Sequence, residues 1–222
     1  QPVASPLLAL GAQAVAASTE DAPRHHVTLL DRGQDGLIAR LHLIRAARES
    51  IDLQSFIYDV DDSGLLVLDE LLAAARRGVK VRLLLDQLYG LPDPGLQGAH
   101  PNFELRLYNP TFGEAKTQPL QYAAGIVCCF RKFNRRMHTK LLLVDGKVGV
   151  TGGRNIQDRY FDWGESYNYR DRDILVAGPI AAAMKENFEA FWTFEQSHPA
   201  YALKDVAERL IRQGGVPGHR LL

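Results

Sequence analysis

The hydrophobic positions follow two different periodicities along most of the chain. Residues 51–58 alternate apolar and polar side chains and are rich in strand formers, whereas residues 65–77 repeat apolar side chains at helical spacing and end before Gly78. Residues 79–86 then predict another strand. A helix between two strands with short connections indicates a βαβ unit, so part of the sheet should be parallel. The pattern therefore predicts an α/β fold.

Further elements follow from the same two periodicities. Strands are predicted at residues 27–31, 103–108, 141–144, 147–151 and 170–177, and helices at 37–50, 180–194 and 202–213. Glycine, proline and polar residues predict turns or loops at 32–36, 91–101, 109–119 and 157–169. The tail from Gly214 onward is expected to fray.

Both ends of the chain are expected to lie outside one main lobe. We divide the sequence into a leader or linker at 1–26, the main lobe at 27–198, and a C-terminal helix and tail at 199–222. The Ala/Leu-rich stretch at 6–17 fits a helix, a linker or the remnant of an upstream anchor. No apolar run in the sequence reaches the length of a membrane-spanning helix.

Overall charge favours no class of partner, but basic residues are concentrated in one stretch. The 222 residues include 26 Lys and Arg and 26 Asp and Glu, so bulk electrostatics favour neither nucleic acid nor an anionic membrane. The crowded basic residues are Arg131, Lys132, Arg135, Arg136, Lys140, Lys147 and Arg154. They predict an anion-attracting approach to the motif described below.

The two cysteines, Cys128 and Cys129, are adjacent in the sequence. Neighbouring cysteines rarely form a disulfide because the required geometry is strained. No Cys/His spacing typical of a metal site is present. We therefore expect both cysteines to behave as small apolar strand residues, and we predict neither a metal nor another cofactor.

The most informative stretch combines a polar motif with a buried strand. His138 and Lys140 are separated by one residue, four apolar residues lead to Asp145, and Gly152-Gly153-Arg154-Asn155 follows six residues later. If the strand reaches back through His138, the imidazole and the ammonium point to the same side. The Asp-Gly turn and the paired glycines let Asn155 return to that rim. An imidazole, a fixed cation and an amide around one concavity suit a phosphodiester.

These residues resemble the signature of the phospholipase D superfamily, a His-x-Lys-x4-Asp motif with a trailing Gly-[Gly/Ser]-x-Asn. The stretches at 51–64, 77–86 and 134–138 are similar to its bacterial cardiolipin synthase-type branch, and the similarity covers roughly residues 30–192. The resemblance implies a phospholipase D-like α-β-α sandwich with a mixed central sheet, in which the main lobe is catalytic. Residues 126–130 read as a strand, whereas the resembling family often has a helix or loop there, so both alternatives stay open.

The resemblance also implies a role for each site residue. His138 would attack phosphorus and form a phosphohistidine, while Lys140 and Asn155 would hold the non-bridging oxygens. An acidic residue before the Gly-Pro stop would orient the imidazole; Asp171 matches that position best, and Asp173 is the alternate. The motif or structural positions would be Asp145, Gly152, Gly153 and Asp173, and no metal is implied.

The sequence departs from this branch in carrying a single motif, because the branch resembles two fused lobes with one motif each. Six other histidines lack a lysine two positions later: His25, His26, His42, His100, His198 and His219. We therefore expect a second His-Lys-Asp lobe, from the same longer chain or from a homodimer. That lobe would supply the acid that protonates the leaving group.

Three functions are compatible with these observations. The first is a bacterial phosphatidyltransferase or phospholipase of the cardiolipin synthase type, which acts on phospholipid and contacts the membrane peripherally. The second is a homodimeric nuclease, which the neutral net charge disfavours. The third is an inert interaction lobe, which the intact His-Lys-Asn set disfavours. The aromatic residues at 160–163 are expected to pack within a loop rather than contact lipid.

Overall fold

The computed structural model describes residues 1–89 and 100–212. Most of the predicted loop at 91–101 and the tail from Gly214 lie outside the described residues. The strands are β1 (His26–Leu30), β2 (Ser50–Ser55), β3 (Lys80–Asp86), β4 (Phe103–Tyr108), β5 (Leu141–Val144), β6 (Val148–Gly152), β7 (Asp173–Ala177) and β8 (Ser197–Pro199). The helices are α1 (Pro6–Ala16), α2 (Gly33–Ala46), α3 (Asp62–Arg76), α4 (Pro119–Cys128), α5 (Phe130–Phe133), α6 (Ile180–Trp192) and α7 (Lys204–Arg212).

All eight strands join one mixed sheet in the order β1-β7-β6-β5-β2-β3-β4-β8. The pairs β2–β3 and β3–β4 are parallel, and the other five pairs are antiparallel. Helix α3 connects β2 to β3, which is the βαβ unit that the periodicity predicts. The α/β class with a mixed central sheet is confirmed.

Helices cover both faces of the sheet. On one face, α2 and α3 bury residues such as Leu43 and Leu71 in the larger hydrophobic cluster. On the other face, Phe188 and Trp192 of α6 pack against Leu141 in a second cluster. This arrangement gives the three layers of an α-β-α sandwich.

The hairpin at the centre of the sheet has the predicted tight turn. Asp145 and Gly146 both have positive φ, at 51° and 61°, and the Lys147 N–H donates to the Val144 carbonyl at 3.0 Å. Two positive φ values give the turn type whose twist matches paired strands. Strand β5 is fully buried between β6 and β2, as its unbroken apolar run predicts.

Helix α2 begins at Gly33, four residues earlier than the periodicity predicts, so the turn predicted at 32–36 is wrong from Gly33 onward. The Gly33 N–H donates to the Asp162 carboxylate at 2.8 Å, which caps the helix from a distant loop. A Cβ at Gly33 would lie 2.6 Å from the Tyr160 carbonyl oxygen, so only glycine permits this approach. The cap is tertiary, and local spacing carries no signal for it.

Residues 121–133 adopt the helical alternative rather than the strand, because they form α4 and α5. The expectation for the cysteines is also wrong. Cys128 and Cys129 are joined by a vicinal disulfide at the end of α4, and both lie at the surface rather than in a strand. The Gly125 backbone faces the Phe133 ring at a distance that leaves no room for a side chain, so α4 folds back on α5.

The Ala/Leu-rich N-terminal stretch, for which a helix, a linker or an anchor remnant was expected, forms helix α1. In α1, Gly11 and Ala14 are buried, and a Cβ at Gly11 would lie 2.8 Å from the Lys147 carbonyl oxygen. The Ser5 hydroxyl lies 2.9 Å from the Nε2 atom of His42 on α2. Helix α1 therefore packs on the sheet beside α2.

Candidate active site at the carboxyl end of the parallel strands

Strand pairing brings the predicted site residues to one edge of the sheet. The carboxyl end of β2 lies beside the start of β5, because Gln54 pairs with Leu141 in antiparallel register. The end of β6 lies beside the start of β7, where Gly152 pairs with Asp173. Residues just before β5, just after β6 and just before β7 therefore meet at this edge, the usual position for sites in α/β sheets.

His138 and Lys140 lie side by side on this edge. The Lys140 Nζ atom is 3.0 Å from His138 Nδ1 and donates to the His138 carbonyl oxygen at 2.7 Å. Strand β5 begins at Leu141, so the expected continuation of the strand through His138 is wrong. The two side chains nevertheless share one side. His138 is exposed, which suits a group that must meet a substrate.

Phe56, which the sequence reading did not include in the site, supports both side chains. Its ring centroid lies 4.7 Å from that of His138 and 5.5 Å from Lys140 Nζ. Lys140 itself is 5% exposed, and burial lowers the pKa of its ammonium, while the negative charge of Asp171 acts in the opposite direction. The aromatic face and the carboxylate hold a desolvated cation beside the imidazole.

Asn155 is fixed by the segment that follows β2, through one atom of its side-chain amide. Its Oδ1 atom accepts the Ile57 N–H at 2.9 Å, and its side chain is 2% exposed. The amide also hydrogen-bonds the Tyr160 hydroxyl, which lowers the pKa of that phenol against the larger opposite effect of burial. With Oδ1 on Ile57 and one Nδ2 hydrogen donated to the Tyr160 oxygen, the second Nδ2 hydrogen is the part of Asn155 that can meet an anion. Tyr160 is therefore part of the site. The signal for it in the sequence was its position in the aromatic loop at 160–163.

Asp171 lies over the backbone of Gly153. A Cβ at Gly153 would collide with the Asp171 carboxylate, so the glycine creates the space for this acid. The Asp171 Oδ1 atom accepts the Arg172 N–H at 2.7 Å. The His138 imidazole makes its hydrogen bond with Lys140 instead, and the orienting role of Asp171 stays a prediction.

Asp173 belongs to a buried ion network. Its Oδ2 atom accepts from Arg40 Nη1 at 3.0 Å and from Arg154 Nη1 at 3.4 Å, and its Oδ1 atom accepts the Arg154 N–H at 3.3 Å. Gly152, with φ of 159°, has no room for a side chain beside this carboxylate. These contacts tie the loop after β6 to α2 and to the start of β7.

Asp145 has a structural position in the central hairpin. Its carboxylate accepts the backbone N–H groups of Arg48, Glu49 and Ser50, with distances from 2.8 to 3.2 Å. It therefore anchors the turn to the segment that leads into β2 and lies at the opposite end of β5 from His138.

The loop before His138 is anchored by Asp86, which the sequence reading also did not include. Asp86 ends β3, and its Oδ2 atom accepts the Met137 N–H at 2.9 Å. Asn109 Nδ2 holds the same loop by donating to the carbonyls of Lys132 and Arg135 at 2.7 and 2.8 Å. An acid at the carboxyl end of a parallel strand is a signal that could have identified Asp86.

A cavity of about 590 Å³ borders the site through Asp171. Its lining consists of Asp31, Arg32, Arg154, Asp162, Tyr169, Arg170, Asp171 and Arg172. Four arginines face three carboxylates there, which gives a polar space next to the candidate site.

Two absences in the described ranges, 1–89 and 100–212, concern metal binding and membrane spans. No group of three or more His, Cys, Asp or Glu side chains in these ranges is placed to hold a metal ion. None of the helices in the same ranges has both the length and the apolar character needed to cross a bilayer.

The geometry and the sequence place the chain in a known family. Residues 41–192 match the family described as "Cardiolipin synthase, PLD-like domain", and the chain belongs to this phospholipase D-like family. Cardiolipin synthase C of Escherichia coli is 40% identical over 182 residues, which are 81% of this chain and 37% of that protein. An uncharacterized protein of Helicobacter pylori strain J99 is 39% identical over 194 residues, which are 85% of this chain and 38% of that protein.

A solved structure has the same fold. NucT from Helicobacter pylori superposes with a TM-score of 0.56 at 16% identity, covering 79% of this chain and 98% of that one. The curated relatives are bacterial, as expected for this chain, and the chain spans less than two fifths of their length.

Proposed function

We propose that this lobe cleaves or transfers the phosphodiester of a phospholipid through a covalent phosphohistidine on His138. The observation that carries the proposal is the pairing of the exposed imidazole with the buried Lys140 ammonium at 3.0 Å. A cation fixed beside a nucleophile can hold the phosphoryl oxygens while the nitrogen attacks. The identity to cardiolipin synthase C supports phospholipid as the substrate class.

The first step forms one bond and breaks one. The Nε2 atom of His138 attacks phosphorus, an N–P bond forms, and the P–O bond to the leaving alkoxide breaks. Lys140 and the free Nδ2 hydrogen of Asn155 stabilise the charge that builds on the non-bridging oxygens. An acceptor alcohol or water then attacks phosphorus and releases the imidazole.

The resting arrangement assigns the proton of the imidazole. An ammonium can only donate, so His138 Nδ1 accepts from Lys140 and the ring proton lies on Nε2. Attack by Nε2 requires this proton on Nδ1 instead. We infer that a bound phosphate draws Lys140 away from Nδ1, so that Nδ1 takes up a proton from solvent and donates it to Asp171, while Nε2 releases its proton to solvent and becomes the nucleophile.

The alkoxide leaving group requires an acid that a single motif does not supply. Because His138 is the single histidine of the sequence with lysine two positions later, we propose that a second His-Lys-Asp lobe donates this proton. The lobe would come from the same longer chain or from a second copy. Light scattering combined with a phosphatidylglycerol assay tests this point, because a fully active monomer of this chain would refute it.

A substrate with a p-nitrophenyl leaving group tests His138 independently of the second lobe, because p-nitrophenolate departs without being protonated. Mixing the protein with a p-nitrophenyl phosphatidyl ester should give a burst of p-nitrophenolate and an acid-labile phosphoenzyme. His138→Ala should abolish both, and the surface variant His198→Ala should retain both. The proposal fails if the wild-type protein gives no burst, or if His138→Ala gives an undiminished one.

Substrate class requires a separate comparison. The same protein should be mixed with p-nitrophenyl esters of a phosphatidyl group and of thymidine phosphate. A burst with the phosphatidyl ester alone supports the phospholipid. Preference for the nucleotide ester would keep His138 as nucleophile but replace the lipid with a nucleic-acid substrate.

A further inference from the structure

Helix α4 carries an apolar stripe that faces away from the rest of the protein. The helix packs on Phe133 through Gly125, and Leu120, Ala123 and Val127 lie on the opposite side of the helix, with Ala124 next to them. These four positions have the spacing i, i+3, i+4 and i+7, which makes one continuous face. All four are exposed, with Leu120 at 85% and Val127 at 87%.

Further exposed apolar side chains widen this stripe. Ile126 flanks it on α4 with 47% exposure, and Phe130 continues it onto α5 with 57% exposure. So many large apolar groups in twelve residues exceed the scattered exposure that soluble surfaces normally show. The apolar face therefore indicates a partner.

The charge around the stripe identifies the chemistry of that partner. Residues 115–144 contain no Asp or Glu but six cations: Lys116, Arg131, Lys132, Arg135, Arg136 and Lys140. Arg131, Lys132 and Arg135 are exposed directly beside Phe130. An apolar helix face with adjacent cations is the arrangement that inserts into the headgroup boundary of an anionic bilayer. An apolar protein partner would not require the acid-free basic border.

We infer that the α4–α5 surface, residues 119–135, docks this protein on an anionic phospholipid bilayer. The chain runs from Arg135 directly to His138, so docking would place the candidate nucleophile beside the headgroups. This location follows from exposure and charge and does not require catalysis. It adds to the proposed function a defined surface through which the site reaches its substrate.

Flotation with vesicles tests the docking surface without any activity measurement. The protein should partition onto vesicles of phosphatidylcholine with 30% phosphatidylglycerol and much less onto phosphatidylcholine alone. The double variant Leu120→Ser, Val127→Ser should weaken partitioning at least tenfold, because both side chains would lose their apolar contact. The double variant Arg131→Gln, Lys132→Gln should weaken it roughly thirtyfold on anionic vesicles only.

A matched control distinguishes binding through this surface from nonspecific adsorption to vesicles. Ile38 of α2 is 63% exposed and lies outside the stripe, so Ile38→Ser should leave partitioning unchanged. Unchanged circular dichroism would exclude unfolding of the stripe variants. Equal binding to neutral and anionic vesicles, or full binding by the Leu120/Val127 variant, would overturn the inference. If the protein does not bind vesicles and forms a dimer that the Leu120/Val127 double substitution dissociates, the inference is overturned. The partner of this surface is then a second copy of the chain. The p-nitrophenyl burst reports on His138 separately, so either proposal can fail alone.

Discussion

The carboxylate of Asp86 accepts the backbone N–H of Met137 at 2.9 Å, one residue before His138. The other oxygen of Asp86 accepts from Arg136 Nη1 at 3.0 Å. Burial raises the pKa of this carboxyl, and the positive charge of Arg136 partly opposes that shift. One side chain at the end of β3 therefore determines where the loop presents the candidate nucleophile.

Replacing Asp86 with alanine should lower both stability and activity. Arg136 and the Met137 N–H would lose their acceptor inside the protein, and breaking a buried ion pair costs about 3–5 kcal/mol in unfolding free energy. Urea unfolding measures this change. The control is Asp31→Ala, which removes an exposed pair with Arg172 and should cost no more than about 1 kcal/mol. Equal losses in the two variants would contradict the anchoring role.

The two aspartates before and within β7 should behave differently when changed to asparagine. Asp173→Asn removes the charge that two buried arginines share, so it should destabilise the protein by about 2–4 kcal/mol. Asp171→Asn should change stability little, because Asp171 is only partly buried. It should lower the p-nitrophenolate burst rate by about 10²–10⁴-fold. If Asp173→Asn retains full stability but loses the burst, the two roles are exchanged.

The alkaline limb of the pH–rate profile should report Lys140. Burial lowers the pKa of Lys140, so the cation that holds the phosphate is lost at a lower pH than for an ordinary lysine. The Asp171 carboxylate raises this pKa, and Asp171→Asn should therefore move the limb further toward neutral pH. Burst rates measured against pH check this shift. Asp31→Asn, which alters another carboxylate of the neighbouring cavity, should leave the limb in place.

Gln54 offers a test of stability on the α6 face of the sheet. Its side chain is 1% exposed, and neither amide atom has a hydrogen-bond partner among the described residues. A buried polar group without a partner costs about 1–3 kcal/mol, so Gln54→Met should be neutral or raise the melting temperature. The control is Gln87→Met, because Gln87 Nε2 donates to Ala115 and Thr117 at 3.0 and 2.8 Å. Gln87→Met should lower the melting temperature. A decrease of the same size for Gln54→Met would contradict the prediction.

The sequence predicts what depends on local pattern and misses what depends on distant contacts. Side-chain alternation and the Asp-Gly turn were sufficient to place His138 and Lys140 together, although the strand starts later than expected. The start of α2 was missed because its cap, Asp162, lies 129 positions away in sequence. Asp86 and Phe56 were missed for the same reason, since their partners, Met137 and His138, lie in the loop before β5, fifty or more residues later.

The contact of Asp145 with the start of β2 has a consequence for the order of folding. It joins segments 95 to 97 positions apart, and β5 must insert between β6 and β2 before the sheet is continuous. Contacts of such separation close large loops, so they form late and slowly. Until residues near 145 have been synthesised, β2 presents an unpaired apolar edge to other nascent chains. Production at low temperature, or with a chaperone that shields strand edges, should therefore increase the yield of native protein.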